Sequence, residues 1–230
     1  MRKIADFLDT KCTLDILMCD GATTKDGNLT EEFHYRKGNS PIEMDGCHFV
    51  CTQEIPWVPW LYIYKLSFLN EHHLRFVENV RFEDTDFVLK CTIKAKSIQY
   101  QPILLVNHLI HDEQGSYIGD NTEKINDLFF ISYRCRLLAE EEQKAHKEAS
   151  NAVMGHHLFS YNANLVRYFW RLPYSKMLEI LKKYPPYYSV NAYLLVRLSA
   201  KYPTAFSMLA ITMKPFLYLA YRVKKMLEKT

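Results

Sequence analysis

Residues 77–91, "VENVRFEDTDFVLKC", place Glu83 and Asp84 side by side and add Asp86 two residues later. The residues before this acidic cluster alternate between apolar and polar, whereas the residues after it become largely apolar. This change of period predicts a helix that begins near Asp84, with Asp84 or Thr85 as its N-cap. One face of the predicted helix carries Phe87, Cys91, Ala95 and Ile98.

The acidic cluster has two interpretations. In the structural one, the carboxylates form the first turn of the helix, where their charge complements the helix dipole. In the functional one, a carboxylate held rigidly at a helix N-terminus stays ionised and serves as a general base. Asp86 is expected to face solvent, so it is not counted as a candidate site residue.

The segments around the cluster predict a small sheet of about four strands. Strands are predicted over residues 14–20, 29–36 and 97–110, with a turn-rich loop over residues 21–30. Residues 74–82 are predicted to combine a loop and a strand. Beyond residue 120 the pattern is helical almost to the end. The sequence therefore predicts an α/β fold with two parts, residues 1–118 with the sheet and residues 119–230 as an all-helical region.

The composition and the spacing of glycine and cysteine residues exclude some classes of protein and of ligand site. Hydrophobic residues make up 48% and charged residues 24% of the 230 residues, which is typical of a folded globular chain. There are only seven glycines and no glycine-rich phosphate-binding motif, so a nucleotide loop of that kind is excluded. The six cysteines have no zinc-site spacing, which favours reduced and mostly buried thiols in a cytosolic protein.

Residues 60–90, "WLYIYKLSFLNEHHLRFVENVRFEDTDFVLK", resemble the family 2 glycosyltransferases. Bacterial members of that family have a stretch of the form W-x-x-I-Y-[KR]-x-x-F-L before a Glu-Asp pair, and a helix, a strand and a polar loop after it. The strong part of the resemblance covers about residues 40–120. It is carried by Trp60, Tyr64, Lys65, Phe68, Leu69, Leu74, Arg75, Phe76, Glu83, Asp84, Phe87 and Lys90, followed by "KAKSIQY".

The resemblance implies a partial GT-A-like mixed sheet with flanking helices, and transfer of a sugar from a nucleotide-sugar donor to an acceptor hydroxyl. Asp84 would be the general base that takes the proton of the acceptor, and a single displacement would invert the anomeric centre. Glu83 would hold the acceptor or orient Asp84. Trp60 would line the acceptor side of the cleft; the alternative is a core tryptophan that packs the sheet against a helix.

The segment "LVNHLIHDEQGSYIG" lies where the family has a loop that closes over the donor diphosphate. His108, His111 and Ser116 are the candidates for contacts with the donor, because such side chains donate to phosphate oxygens or bind a divalent ion. The alternative is a polar loop with incidental histidines.

The resemblance also implies a part of the family fold that would precede residue 1. That N-terminal half carries the nucleotide-binding unit and the D-x-D pair that holds a divalent metal, Mg²⁺ or Mn²⁺. Asp84-Thr85-Asp86 matches the D-x-D pattern, but it occupies the position of the family's general base and not that of the metal-binding pair. The chain is therefore expected to be truncated and to lack the D-x-D metal ligands, with a non-catalytic remnant or a partner- or membrane-binding module as the alternative function.

The C-terminal residues 165–230 have twelve Lys or Arg against two acidic residues, a balance of +10, and thirteen aromatic residues. Residues 1–164 have a balance of −7. Helices interrupted by prolines could lie flat on an anionic bilayer, with aromatic rings at the headgroups. The alternative is a helical subdomain that packs its aromatic residues against the catalytic half. No nucleic-acid recognition motif is present, and a cytoplasmic protein at the inner membrane face is expected.

Overall fold

The computed structural model of the chain describes residues 7–8, 13–25, 28–33, 42–110, 122–187 and 192–227. Its internal contacts divide the chain into two units. Unit 1 comprises Met1–Tyr117 with Glu142–Ala152, and unit 2 comprises Ile118–Glu141 with Val153–Thr230. All described strands lie in unit 1, and the regular elements described in unit 2 are helical, so the predicted α/β class is confirmed.

A mixed sheet forms the centre of unit 1. Among the described residues its strands are β1 (Ile16–Lys25), β2 (Asn28–Phe33), β3 (Ile42–Met44), β4 (Tyr62–Tyr64) and β5 (Ile98–Ile110). The long strands β1 and β5 pair in parallel, and β3 pairs antiparallel with β5. The other edge of β1 pairs antiparallel with β4 along its first half and with β2 along its second half. The sheet is therefore four strands wide.

Strands β1 and β5 confirm the strands predicted over residues 14–20 and 97–110. The loop predicted over residues 21–30 is wrong, because β1 continues through Lys25 and β2 begins at Asn28. The strand predicted within residues 74–82 is also wrong. Asn79 and Phe82 have φ angles of 58° and 66°, and this left-handed backbone interrupts an extended strand.

Three helices flank the sheet in the described part of unit 1: α1 (Gly46–Thr52), α2 (Leu66–Glu71) and α3 (Glu83–Lys94). Asp45 caps α1, since its Oδ1 accepts a hydrogen bond from the backbone N–H of His48 at 2.9 Å. Helix α1 packs directly on α3. The backbone N–H of Gly46 donates to the carbonyl of Ala95 at 2.8 Å, and a Cβ on Gly46 would stand 1.7 Å from the Thr92 carbonyl oxygen. The close packing of α1 on α3 therefore requires glycine at position 46.

The described part of unit 2 consists of helices around an aromatic core. The helices are α4 (Thr122–Glu142), α5 (Lys147–Arg167), α6 (Tyr174–Lys183), α7 (Leu194–Lys201) and α8 (Pro203–Leu227); the ends of α4 and α5 nearest each other belong to unit 1. The buried ring of Phe129 meets Tyr161 and Phe169 edge to face, with ring centroids 5.0 and 5.9 Å apart. Such pairs contribute about 0.5–1.5 kcal/mol beyond the burial of their area.

His157 is a fully buried side chain that joins three segments of unit 2. Its Nδ1 lies 2.7 Å from the carbonyl oxygen of Ser132, and its Nε2 accepts a hydrogen bond from the backbone N–H of Tyr187 at 3.2 Å. The neutral ring with its proton on Nδ1 makes both hydrogen bonds, because Nδ1 then donates and Nε2 accepts. Burial lowers the pKa of His157 to about 4, and nearby Arg136 lowers it as well.

We expect Gly46→Ala to destabilise the protein by about 3 kcal/mol or more, because the added methyl group would collide with backbone atoms that cannot rotate away. Gly155→Ala is the matched control. It lies within α5, where an added Cβ has no heavy atom within 4 Å, and it should be neutral or stabilising by about 0.5–1 kcal/mol. Urea unfolding of both variants measures the difference. Equal stability of the two variants would contradict the close contact between α1 and α3.

The stability of unit 2 should fall as the pH is lowered. The folded state holds His157 neutral with a pKa of about 4, whereas the unfolded chain takes up a proton near the ordinary value of 6.5. Between these values the unfolded state binds more protons, so lowering the pH from 7 to 5 should cost about 2 kcal/mol. Urea unfolding followed by circular dichroism measures this loss. His157→Gln should show a smaller pH dependence, whereas the exposed His146→Gln should behave like the unchanged protein.

Candidate functional site

Helix α3 begins at Glu83, so a helix is confirmed here, but the predicted N-caps are wrong, and Ile98 of the predicted helix face lies in β5 because α3 ends at Lys94. The N-cap is Phe82, which has no capping side chain and adopts a left-handed backbone with φ 66°. This conformation costs about 1–2 kcal/mol in a residue other than glycine. Glu83, Asp84 and Asp86 all lie in the first turn. The strained residue therefore directly precedes the Glu-Asp pair, and strain of this kind clusters at functional sites.

Asp84 is half-buried at the start of α3. Burial raises the pKa of Asp84 above its usual value, and the neighbouring carboxylate of Glu83 raises it further. The helix dipole acts in the opposite direction, because it favours the ionised carboxylate. The expectation from sequence, that this carboxylate stays ionised, relied on the dipole. A raised pKa makes the Asp84 carboxylate a stronger base than an ordinary aspartate.

Asp86 does not face solvent, contrary to the expectation from sequence. Its side chain is 2% exposed, and it accepts a hydrogen bond from Lys90 Nζ at 2.6 Å, one turn along α3. The physical reason is that α3 is covered on most sides, since Phe87, Val88, Leu89 and Cys91 are all buried. Asp86 is thus a structural partner of Lys90.

Tyr64 of β4 lies next to the start of α3. Its ring meets Phe87 edge to face with centroids 5.3 Å apart, and Phe87 in turn stacks on Phe76 at 3.9 Å. The hydroxyl of Tyr64 is buried and has no hydrogen-bond partner among the residues that the structure describes. Burial raises the pKa of Tyr64 well above its usual value, and nearby Cys91 and Asp84 raise it further.

Trp60 and His108 form the second group of the site. The two rings stack with centroids 5.7 Å apart and an angle of 10° between their planes. Trp60 also lies directly over Gly21 of β1, where a Cβ would stand 2.6 Å from the Trp60 Cζ3 atom. Trp60 is partly exposed and His108 is exposed, so the stack presents a flat aromatic surface rather than a core contact.

The structure brings the predicted site residues into two groups on neighbouring elements of unit 1. Glu83 and Asp84 begin α3, and α3 packs against the Pro59–Leu61 turn that holds Trp60. His108 joins Trp60 through the ring stack. The other two candidates for contacts with a donor, His111 and Ser116, lie outside the described residues, so their role stays a prediction.

Two polar residues of this region were missed by sequence reasoning. Tyr64 belongs to the segment that carries the family resemblance, but nothing in the local pattern shows that its hydroxyl is buried without a partner. Asp20 is 3% exposed at an irregularity of β1, just before Gly21, and accepts a hydrogen bond from the Tyr100 hydroxyl at 2.9 Å. Its strand gave no signal of a buried carboxylate, because Asp20 was expected to end that strand.

The described part of the chain contains no candidate site for a bound metal ion or for a reactive cysteine thiol. There, no group of three or more His, Cys, Asp or Glu side chains is placed to hold a metal ion. The described cysteines are free thiols. Burial raises the pKa of Cys19 and of Cys91 to about 12, so neither forms the thiolate of a nucleophile readily.

A pair of tyrosine variants tests the unpartnered hydroxyl. Tyr64→Phe should leave the free energy of unfolding unchanged or increase it by about 1 kcal/mol, because it removes a buried polar group that has no partner. Tyr62→Phe should instead cost about 1 kcal/mol, since the Tyr62 hydroxyl donates to the Pro56 carbonyl at 2.8 Å. Urea unfolding compares the two. A loss in Tyr64→Phe as large as that in Tyr62→Phe would mean that the Tyr64 hydroxyl has a partner in the folded protein.

No protein-family model matches the sequence, and no curated protein matches it. The resemblance of residues 40–120 to family 2 glycosyltransferases therefore stays a prediction. What the chain offers a ligand is a half-buried carboxylate at a helix start, an unpartnered tyrosine hydroxyl beside it, and an exposed aromatic stack on a neighbouring element.

Proposed function

We propose that the chain is the acceptor-side part of a GT-A glycosyltransferase, which transfers a sugar from a nucleotide-sugar donor to an acceptor hydroxyl in polysaccharide or glycan synthesis. The observation that carries the proposal is the half-buried Asp84, whose pKa is raised at the N-terminus of α3. A general base needs a fixed position and a pKa closer to the working pH than that of an ordinary carboxylate.

In the proposed reaction, the Asp84 carboxylate accepts the proton of the acceptor hydroxyl. The acceptor oxygen forms a bond to the anomeric carbon of the donor sugar, and the nucleotide leaves with the electron pair of the broken bond. One base and one displacement invert the anomeric centre. Glu83 holds the acceptor or orients Asp84, and its charge contributes to the raised pKa of Asp84.

The aromatic stack fits the acceptor side of this reaction. An exposed, flat surface such as the Trp60–His108 pair suits the apolar face of a sugar ring. The Tyr64 hydroxyl is buried close to Asp84 and has no hydrogen-bond partner among the described residues, so it could donate to a polyhydroxyl ligand once binding opens access to it. His108 is thereby assigned to the acceptor side, and contacts of His111 and Ser116 with the donor stay part of the proposal.

The family resemblance implies Mg²⁺ or Mn²⁺ at the donor diphosphate. The residues that the structure describes do not fit such a metal site, because no suitable set of ligands converges. No step of the proposed reaction is therefore assigned to a metal held by this chain.

The proposed place of action is the cytoplasmic face of the membrane. The excess of Lys and Arg in residues 165–230 supports attraction to anionic lipids, where a lipid-linked or growing polysaccharide acceptor would be found. Among the helices in the described ranges, none has both the length and the apolar character needed to span a bilayer. The proposed association is accordingly peripheral.

Sugar-transfer kinetics of the natural protein provide the test. Asp84→Asn should lower kcat for sugar transfer by about 10²–10⁴-fold, because general-base catalysis contributes factors of that size. The KM for the donor should stay nearly unchanged, since Asp84 acts on the acceptor. Release of nucleoside diphosphate from a panel of nucleotide-sugars, measured with acceptor glycans, gives both quantities.

Glu78→Gln is the control, because it also removes one carboxylate, from an exposed position in the preceding loop. Its activity should equal that of the unchanged protein. The acid limb of kcat/KM should lie at a higher pH than the ordinary aspartate value of 3.8, since a raised pKa keeps Asp84 protonated to higher pH. Full activity of Asp84→Asn would remove Asp84 from the role of base. Glycan binding without any transfer would favour the non-catalytic alternative.

A further inference from the structure

Over residues 203–218, the C-terminal helix α8 packs one narrow stripe on the rest of unit 2 and turns its other positions outward. The buried or partly buried residues of this stripe are Pro203, Phe206, Ser207, Ala210 and Leu217. The Phe206 ring packs on Phe169, with centroids 5.6 Å apart. The remaining positions of the helix between 204 and 218 are exposed.

The outward surface of α8 is apolar to an unusual degree. Its large apolar side chains are between 39% and 67% exposed, and they are Met208, Leu209, Ile211, Met213, Phe216 and Tyr218. Leu209 and Met213 also line an apolar groove of about 210 Å³ beside Trp170. Contiguous exposed apolar surface of this kind marks an interaction site in a folded protein.

Charge is nearly absent from this face. Lys214 is the only charged residue from 203 to 218, and its Nζ lies 3.5 Å from the carbonyl oxygen of Arg171 within the same unit. The basic residues Arg222, Lys224 and Lys225 follow in the last turns of the helix. No Asp or Glu occurs between Glu179 and Glu228. Residues 203–218, with Lys214 as their one charged residue, are thus followed by a helix end whose charged residues are all basic.

We propose that the outward face of α8, residues 204–218, inserts into the interfacial layer of an anionic bilayer, with the basic end of the helix against lipid headgroups. Lys214 interrupts the apolar positions of this helix and basic residues follow from Arg222, so a helix lying in the plane of the interface keeps these charges among the headgroups. Apolar burial and attraction between Lys or Arg and anionic lipids act together in such helices.

A second copy of the chain is a less suitable occupant of the same face. Self-association through this face would bury Lys214 of each copy in an apolar interface with no acidic residue of residues 180–227 to pair with, which is unfavourable. An anionic lipid surface has the opposite sign. The inference rests on the proposed function only for the choice of the cytoplasmic membrane face, because lipid binding requires neither donor nor acceptor.

Vesicle flotation tests the proposal with the full chain. The protein should float with vesicles that contain phosphatidylglycerol and much less with pure phosphatidylcholine. Ile211→Glu/Phe216→Glu, at two exposed positions, should lower the partition coefficient by about tenfold or more, because each carboxylate would have to enter the interface. Gln143→Glu/Asn151→Glu adds the same charge at exposed positions of unit 1 and should bind like the unchanged protein.

A second variant separates the two contributions. Lys224→Gln/Lys225→Gln leaves the apolar face intact, and it should weaken flotation at low salt while binding at high salt stays unchanged. The proposal is overturned if the unchanged protein does not float, or if the Ile211→Glu/Phe216→Glu variant floats equally well with a native circular dichroism spectrum. Sizing chromatography that shows a dimer in the unchanged protein and a monomer in that variant, without vesicle binding, would assign the face to a second copy. Loss of sugar transfer in Asp84→Asn bears on none of these outcomes.

Discussion

The parallel pairing of β1 with β5 is the constraint on which the rest of unit 1 depends. It joins Ile16 to Ile98 and Thr23 to His108, segments that lie far apart in sequence. Parallel strands require a long crossover, and here the crossover contains β4 and α3. Because Trp60 lies over Gly21 of β1, the same pairing brings His108 of β5 against Trp60. The aromatic stack of the candidate site therefore depends on this pairing.

Burial divides the three carboxylates of the acidic cluster into different roles. At a helix N-terminus the dipole favours ionisation, whereas removal from water opposes it. For Asp84, burial and the charge of Glu83 outweigh the dipole, and the pKa rises. Asp86 is more deeply buried but has Lys90 within hydrogen-bond distance, so its charge is compensated inside the protein. Position in the helix, rather than residue type, decides which carboxylate stays partly exposed and which forms an ion pair inside the protein.

The sequence predicted the α/β class, the two central strands and helix α3, because their periodic patterns are long. The extension of β1 beyond Gly21 was missed, since glycines suggested a turn while hydrogen bonds to β2 and β5 keep the segment extended. The burial of Asp86 could not be predicted either, because it depends on what covers α3 from outside. The same holds for the Tyr64 hydroxyl, as hydrogen-bond satisfaction is a property of the assembled fold. Motif order located Asp84 and Trp60, but the ring that stacks on Trp60 is 48 residues away in sequence.

The contact between Gly46 and the Thr92 carbonyl leaves no side chain between the backbones of α1 and α3. Side chains absorb displacement by changing rotamer, whereas two backbones in contact resist compression. Thr92 lies near the end of the twelve-residue helix, and Asp84 lies near its start. Helix α3 is therefore held rigidly near its C-terminal end. The Asp84 carboxylate, near its N-terminal end, has little freedom to move with a ligand. Under the proposed function, an acceptor would have to adjust to this oxygen, which favours ligands of one shape and orientation over a broad range of related compounds.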